Sequence, residues 1–356
     1  MLVRIGLGIA GLILLFAAYL LLWPVGFEPV VWTPKPNPGK TGVFAANDRL
    51  AAATLHDLQG GHGPEDVTVG PDGLIYTGLD DGYVVRLLED DTVDRVVNTG
   101  GRPLGLQFDA NDQLIVADSE KGLLSIDPYT SEITVLAASY DGEPMIFVDD
   151  LDIADDGTIW FSDASTRYPR EQFMMDFFDG KPSGRLFSYN PFTEVVTLHL
   201  EELRFANGVA VGPDDAYVLV NETMGHRIRR LWLKGDKAGQ DDMFIDGLPG
   251  YPDNLSFNDN GKFWIAFASP RSEDTDHLWE APFTRKVIVR AQKLFGEMNI
   301  VEPYGWVISV DTDGQVIDNL QDGSGVIHTV TSVNEIDGTL YVGSLVMPAL
   351  ATLPAP

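Results

Sequence analysis

The sequence predicts an all-β fold, a six-bladed β-propeller, with an N-terminal transmembrane helix. Two observations indicate this architecture: a hairpin-like phrase recurs about six times, and an uncharged apolar run precedes it. In each copy a short apolar strand leads through an Asp, Asn or Gly turn into a strand rich in Ile, Val, Tyr, Trp and Phe. Repeats at intervals of tens of residues are typical of propellers, and six blades of four antiparallel strands close a ring.

The first element is the apolar run from Ile5 to Trp23, which holds 19 residues and no charge. As a helix it spans about 28 Å, close to the hydrocarbon thickness of a bilayer. The run ends at Trp23 and Pro24 without a small-residue cleavage site, which favours an uncleaved anchor over residues 1–23. A cleaved signal peptide and a buried helix are the alternatives. Arg4 favours a cytoplasmic N-terminus, which would make the protein single-pass with its domain periplasmic or otherwise extracytoplasmic.

The second element is a spacer over residues 24–45, which contains five prolines. Such a segment is expected to be extended and semi-rigid, to contribute nothing to the core and to hold the domain off the bilayer. The propeller is then expected to occupy residues 46–356. Because the last repeat ends only a few residues before Pro356, a strand from about Leu50 to Leu58 is expected to close the final blade.

Composition excludes several classes of function. The chain has 356 residues, with 24 Lys and Arg against 53 Asp and Glu, and a formal net charge of -29. Such a surface repels nucleic acid. The absence of cysteine excludes disulfides, zinc–thiolate sites and cysteine nucleophiles. The acidity serves solubility, or some of the carboxylates converge on a cation.

Two stretches interrupt the repeat, Tyr168–Lys181 and Ser272–Asn299. Both are too long for hairpin turns, so they are either lids over a binding site or surface helices packed on a blade edge. The first is rich in Phe and Met, which favours a cover over something apolar. Helical spacing in the second is found at Val287, Ala291, Leu294, Phe295 and Met298.

Oxygen-bearing side chains stand just before or at the start of several inner strands: Glu65, Asp149, Asn207, Asp253 and Asn254. Inner strands of a propeller lie around the central channel, so equivalent positions meet at one end of it. Carboxylate and amide oxygens suit a hard cation such as Ca²⁺. The alternative is turn chemistry, in which Asp and Asn bond their own backbone. The Asp-Gly pairs at residues 72–73, 156–157 and 337–338 are predicted to be hairpin turns.

Phrases between Phe147 and Gly239 carry a resemblance to a known family, among them "FSDASTRY", "GRLFSYNP", "FANGVAVGPDDAYVLVNET" and "RIRRLWLKGDKAG". They resemble the strictosidine synthase-like branch of the six-bladed propeller superfamily that also contains paraoxonases and gluconolactonases. The resemblance implies calcium at the channel. Glu65, Asn207 and Asp253 match ligand positions of the superfamily, Asn254 stands beside them, and Asp149 occupies a position that is usually Asn.

At two positions this sequence differs from the catalytic residues of the proteins that it resembles. Leu104 stands where paraoxonases carry a catalytic His, and Thr331 lies near the place of the catalytic Glu of strictosidine synthase. Neither side chain is an acid or base at neutral pH, so the sequence argues against a strictosidine synthase. His328 is a further candidate for a proton acceptor.

The leading hypothesis is a calcium-dependent hydrolase of small-molecule esters or lactones. The resemblance implies Asp253 as the nucleophile or general base, because a phosphotriesterase of the same superfamily uses the matching Asp. A metal-bound carboxylate is a weak base, which is the difficulty of this assignment. The alternative is a non-enzymatic, membrane-anchored binding propeller with a structural calcium.

Overall fold

The chain forms a six-bladed β-propeller, as the repeats predict, and helices lie over one end of its central channel. The structure is a computed structural model and describes residues 2–296 and 302–356. The α-helices in these residues are α1 (Leu2–Leu22), α2 (Phe173–Asp179), α3 (Glu273–Trp279) and α4 (Pro282–Phe295). Short 3-10 helices occupy Gly42–Phe44, Leu50–Ala52, Arg170–Gln172, Pro213–Asp215, Thr223–Gly225 and Gly235–Lys237.

The strands follow the repeats, and within each blade consecutive strands are hydrogen-bonded neighbours. Strand β1 (Thr54–Asp57) comes first in the chain. Blade one contains β2 (Val67–Val69), β3 (Ile75–Gly78), β4 (Tyr83–Leu87) and β5 (Val93–Asn98). Blade two contains β6 (Pro103–Phe108), β7 (Leu114–Asp118), β8 (Gly122–Ile126) and β9 (Ile133–Ala137). A small hairpin follows, formed by β10 (Ser139–Tyr140) and β11 (Glu143–Pro144).

The remaining blades repeat this pattern. Blade three contains β12 (Val148–Ile153), β13 (Ile159–Asp163), β14 (Gly184–Asn190) and β15 (Val195–Leu203). Blade four contains β16 (Ala206–Val211), β17 (Tyr217–Glu222), β18 (Arg227–Trp232) and β19 (Asp241–Asp246). Blade five contains β20 (Gly250–Phe257), β21 (Lys262–Pro270), β22 (Gly305–Asp311) and β23 (Val316–Asp322). Blade six contains β24 (Val330–Ile336), β25 (Thr339–Ser344) and β26 (Ala349–Pro354).

The ring is closed by both ends of the domain. β1 pairs antiparallel with β26, from Thr54 opposite Thr352 to Asp57 opposite Ala349, and becomes the fourth strand of blade six. The expected closing strand is therefore confirmed, although its first residues form a 3-10 turn at Leu50–Ala52. Closure pairs the edge strand β26, which would otherwise offer a template to another chain.

The hairpin turns have the backbone conformation that the Asp-Gly pairs predict. Gly73, Gly157 and Gly338 all have positive φ, at 77°, 84° and 73°. Glycine adopts this region without steric cost. The first strand of each blade lies beside the first strands of its neighbours, so β2 contacts both β6 and β24. Residues at the start of these strands are thereby brought to the channel.

The two inserts form a helical cap, defined here as the 3-10 turn Arg170–Gln172 with α2, α3 and α4. The cap packs on the channel end through one apolar cluster, to which α2 contributes Phe177 and Phe178, α3 contributes Trp279 and α4 contributes Val289. Of the two alternatives for the inserts, the structure favours a lid. The predicted helical spacing is confirmed by α4, whereas Met298 and Asn299 lie outside the described residues.

The segment after α1 packs against this cap. Val25, Phe27 and Trp32 pack against the apolar cluster of the cap, and Trp32 meets Trp279 edge-to-face at 5.4 Å. Arg285 of α4 donates to the Val30 carbonyl at 2.7 Å. The expectation that the spacer contributes nothing to the core is therefore wrong for this part of it. Apolar side chains between the prolines bury surface that the cap alone would leave exposed.

Candidate functional site

A cavity of about 500 Å³ lies between the channel end and the cap, and is called the upper cavity. Its apolar walls include Leu104, Phe147 and Phe205 from the propeller and Phe173, Met174 and Phe177 from the cap. Its polar groups come from the starts of inner strands and from the cap and loops around them. The cavity therefore has the apolar body with a few converging polar groups that is typical of small-molecule sites.

Four of the five predicted ligands line this cavity: Glu65, Asp149, Asn207 and Asp253. Glu65 precedes β2, Asp149 lies in β12, Asn207 in β16 and Asp253 in β20, so four blades contribute. The fifth, Asn254, points to the opposite side of β20 and lines a second cavity at the other end of the channel, the lower cavity. It nevertheless reaches Glu65, because its Nδ2 donates to the Glu65 carboxylate oxygens at 3.2 Å and 3.3 Å.

Three buried oxygens of this set have no hydrogen-bond partner within the described residues. They are Asp149 Oδ2, Asn207 Oδ1 and Asn254 Oδ1. The side-chain amide of Asn254 is already used, since its Nδ2 donates to Glu65. This bond fixes the Asn254 side chain and leaves its oxygen without a donor among the described residues. A buried acceptor without a donor is costly, and a cation is one group that could satisfy it.

The carboxylates of the site are held in an environment that disfavours their charge. Burial raises the pKa of Glu65 well above its usual value, and Asp253 and Asp149 raise it further. Burial and then Asp253 raise the pKa of Asp149. Burial raises the pKa of Asp253 to about 7, against the hydrogen bond from Asn207. Carboxylates that are buried close together have raised pKa values when no cation offsets their charges.

The backbone of Asp253 is positioned by blade four. Asn221 donates its side-chain amide to the Asp253 carbonyl, and Thr223 Oγ1 donates to the Pro252 carbonyl at 2.7 Å. Strands β16 and β20 also approach closely at Gly208, where a Cβ would lie 2.6 Å from the Asp253 carbonyl oxygen. The position needs glycine because no larger residue fits there.

The donor set suits calcium in its chemistry, since every member is a carboxylate or amide oxygen. Within residues 2–296 and 302–356, however, no three His, Cys, Asp or Glu side chains are arranged so that they could hold a metal ion. The carboxylates Glu65, Asp149 and Asp253 would have to move closer together to share one. The amide oxygens of Asn207 and Asn254, by contrast, are already unpartnered and buried.

Leu104 and Thr331, which stand where related proteins carry a catalytic His and a catalytic Glu, both line the upper cavity. Leu104 is buried in the wall of the upper cavity. Thr331 lines the same cavity, and its Oγ1 donates to the Glu65 carbonyl at 2.6 Å. His328 lies within hydrogen-bond distance of Thr329 Oγ1, at 3.0 Å, and is not among the residues that line the upper cavity. The geometry therefore gives His328 no direct role there.

Sequence reasoning missed the arginines of the upper cavity. Arg102 is almost fully buried beside Glu65, and its Nη2 donates to the Gly63 carbonyl at 2.8 Å. Its charge opposes the rise in the pKa of Glu65. Arg170 of the cap lines the same cavity. One signal in the sequence could have identified Arg102. It stands directly before the buried strand β6 in a chain that has few cations.

The neighbouring acids Asp66 and Asp150 serve the ring itself. Asp66 Oδ2 accepts from Leu106 N of the next blade at 3.0 Å, and Asp150 Oδ2 accepts from Val209 N at 2.8 Å. Both face the lower cavity. Backbone bonding, the alternative to a metal, thus accounts for these two acids and joins neighbouring inner strands.

Comparisons with known proteins agree with this fold. A family model described as strictosidine synthase matches residues 149–236, and one described as strictosidine synthase-like, N-terminal, matches residues 42–87. The Arabidopsis thaliana protein strictosidine synthase-like 6 is 39% identical over 292 residues, which cover 79% of this chain and 76% of that protein. The adipocyte plasma membrane-associated protein of Rattus norvegicus is 33% identical over 365 residues, which cover 96% and 95%.

Solved structures show the same architecture at low identity. A gluconolactonase from Xanthomonas campestris has a TM-score of 0.63 at 19% identity, covering 94% of this chain and 99% of its own. The calcium-binding protein regucalcin from Agrobacterium tumefaciens has a TM-score of 0.57 at 16% identity, covering 82% and 92%. These similarities concern the fold.

Proposed function

This chain belongs to the strictosidine synthase-like family, and on that premise we propose that it is a calcium-dependent hydrolase of small-molecule esters or lactones. The observation that carries the proposal is the group of buried, unpartnered oxygens of Asp149, Asn207 and Asn254 beside Glu65 and Asp253. They lie at or directly beneath the floor of a mainly apolar cavity large enough for a small organic molecule. The names of the structural neighbours, a gluconolactonase and a calcium-binding protein, support the same choice.

Glu65, Asp149, Asn207, Asp253 and Asn254 would hold the cation. When bound, it supplies polarisation of the substrate carbonyl and stabilisation of the oxyanion. The apolar walls exclude water and orient the substrate. Asp253 would take the proton of the attacking water and return it to the leaving alcohol. Burial raises the pKa of Asp253 to about 7 when no cation is bound, and a bound cation would lower that pKa and make Asp253 a weaker base.

A direct test uses the full-length protein in detergent with a panel of aryl esters and lactones. Rates are measured after chelation and again after calcium is restored. We expect hydrolysis to be lost on chelation and recovered with calcium, and Asp253→Asn to be inactive while Asp155→Asn, on the surface, keeps the wild-type rate. Equal rates with and without chelator, or no hydrolysis across the panel, would rule the proposal out.

Asp253 could instead attack the carbonyl itself. Attack by Asp253 would expel the alcohol and form a mixed anhydride, which water can open at the Asp253 carbonyl or at the substrate carbonyl. After a single turnover in ¹⁸O-labelled water, label in the Asp253 carboxylate therefore identifies the nucleophilic role. A general base leaves Asp253 unlabelled and places all of the ¹⁸O in the product acid.

The second candidate is a binding propeller with a structural calcium. Leu104 and Thr331 favour it, because the upper cavity lacks an acid or base at these two positions, and Thr331 is occupied in bonding the Glu65 carbonyl. In this case chelation lowers the melting temperature, but no substrate is turned over and Asp253→Asn changes ligand binding only.

We further propose that α1 anchors the protein in a membrane with the propeller on the extracytoplasmic side. Its stretch Arg4–Leu22 is long and apolar enough to span a bilayer, and the matching mammalian relative is named as plasma membrane-associated. Protease protection of a C-terminal tag in sealed vesicles tests the orientation. Cleavage from the cytoplasmic side would reverse the assignment.

A further inference from the structure

We propose that the C-terminal turn of α4 inserts into the lipid bilayer beside α1, so that the cap over the upper cavity is itself a membrane-bound element. The proposal goes beyond the anchor, because it adds a second contact with lipid from a different part of the chain. It rests on the charge of α4, on its two apolar faces and on the depth at which it meets α1.

The charge of α4 is opposite to that of the rest of the molecule. Its sequence, PFTRKVIVRAQKLF, contains four cations and no acid, in a chain with 24 basic and 53 acidic residues. Lys293 is exposed, and Lys286 pairs with Glu28 of the segment after α1. Arg285 and Arg290 are buried against backbone carbonyls, so Lys293 is the cation of α4 best placed to meet a lipid phosphate at a membrane surface.

The helix has a second apolar face besides the one that it buries. Ile288 and Val289 pack in the apolar cluster of the cap. The predicted stripe of Val287, Ala291, Leu294 and Phe295 lies on another side and is not part of that cluster. Towards the end of the helix this stripe becomes exposed, with Leu294 at 50% and Phe295 at 74%.

Contacts with α1 fix the level of α4 relative to the membrane. Arg290 donates to the Leu20 carbonyl at 2.8 Å and to the Trp23 carbonyl at 2.5 Å, which satisfies free carbonyls at the C-terminal end of α1. Tyr19 donates back to the Arg290 carbonyl at 3.4 Å. Tyr and Trp at the end of an apolar helix mark the membrane interface. Arg290 therefore lies at headgroup level.

From Arg290 the helix continues along α1 towards the membrane interior. Phe295 meets Phe16 edge-to-face, with ring centroids 6.2 Å apart. Phe16 lies six residues before the end of α1, which is about 9 Å along the helix axis. If α1 spans the bilayer, the exposed ring of Phe295 lies at that depth within the hydrocarbon. Lipid is then the medium that covers Leu294 and Phe295.

The absence of cysteine allows a clean test, because one introduced thiol can be labelled alone. Full-length Phe295→Cys and Leu294→Cys, each labelled with an environment-sensitive fluorophore, are reconstituted in phosphatidylcholine vesicles that contain acyl-chain nitroxide lipids. Phe16→Cys is the positive control. Phe283→Cys, 56% exposed on the first turn of α4, and Phe192→Cys, 83% exposed on blade three, are the matched negative controls.

We expect the labels at positions 294 and 295 to be quenched by the nitroxide lipids as strongly as the label at position 16, and to be shielded from aqueous iodide. The labels at positions 283 and 192 should show the reverse. Iodide quenching at positions 294 and 295 would overturn the proposal. Protection from both quenchers would also overturn it, because a second copy of the chain would then cover this face. If Phe295→Cys does not fold, Leu294→Cys gives the same readout.

Discussion

Asn254 donates its side-chain amide to the carboxylate of Glu65 at 3.2 Å and 3.3 Å, across the channel and over a sequence separation of 189 residues. The bond fixes Glu65 at the floor of the upper cavity and leaves the Asn254 oxygen without a partner among the described residues. Blades five and one are thus connected at the point where a cation is proposed to bind.

The first prediction concerns charge at that point. Glu65→Gln should lower calcium affinity by about tenfold, equivalent to about 1.4 kcal/mol, because it removes one carboxylate from the ligand set. Asp149→Asn should bind calcium within a factor of about three of wild type, because an amide oxygen can replace the carboxylate oxygen. Isothermal titration calorimetry on chelated protein measures both.

Glu143→Gln, an exposed change outside the site, is the control for the loss of one negative charge. If Glu65→Gln binds calcium as tightly as Glu143→Gln does, the metal site is placed wrongly, and the acids at the strand starts are explained by backbone bonding alone.

The second prediction concerns pH. Burial raises the pKa of Asp253 from 3.8 to about 7. Because the folded value exceeds the unfolded one, Asp253 stabilises the fold fully below about pH 4, and this contribution is lost as the pH rises through about 7. Chelated wild-type protein should therefore lose more melting temperature between pH 4 and pH 8 than chelated Asp253→Asn does.

Calcium should flatten this pH profile, because a bound cation favours the ionised carboxylates. Asp155→Asn, a surface change, should keep the wild-type profile. The expectation is wrong if chelated wild-type protein and Asp253→Asn show parallel profiles, since Asp253 would then ionise without cost in the fold.

The third prediction concerns Arg285, which is fully buried in the cap. Its guanidinium donates to carbonyls of α2, α3 and the segment after α1, among them Phe178 at 3.1 Å and Val30 at 2.7 Å. Arg285→Met leaves these carbonyls unpaired, so the free energy of unfolding of the cap should fall by about 2–4 kcal/mol. Hydrogen exchange of the α2 amides measures this local loss.

Lys293→Met on the same helix removes an exposed cation and should leave the exchange of α2 unchanged within about 0.5 kcal/mol. If both variants exchange alike, Arg285 does not hold the cap together.

The fourth prediction separates the anchor from the segment that follows it. Deletion of residues 1–23 removes α1 but keeps Val25, Phe27 and Trp32 on the cap. Deletion of residues 1–40 removes these side chains too, and should lower the melting temperature further because it exposes the apolar cluster of the cap. Thermal unfolding of the two shortened proteins decides the matter, and equal melting temperatures would mean that this packing contributes no stability.

The sequence by itself determined the elements that depend on local pattern. Alternating apolar residues with turns of Asp, Asn or Gly specified the six hairpins, and the position of the last repeat specified the closing strand that β1 provides. Repetition also identified Glu65, Asp149, Asn207 and Asp253 as neighbours, since equivalent positions of a ring meet at its axis. These inferences need only the period of a strand and the symmetry of a propeller.

Only the tertiary structure decided what depends on contacts between distant segments. Strand alternation turns Asn254 away from Asp253, but that Asn254 also bonds Glu65 of blade one depends on a contact between segments 189 residues apart. Arg285 joins the two inserts to Val30, and Arg290 joins the cap to α1, through carbonyls that every residue carries. Backbone acceptors leave no mark in a sequence, so these contacts could be found only from the folded chain.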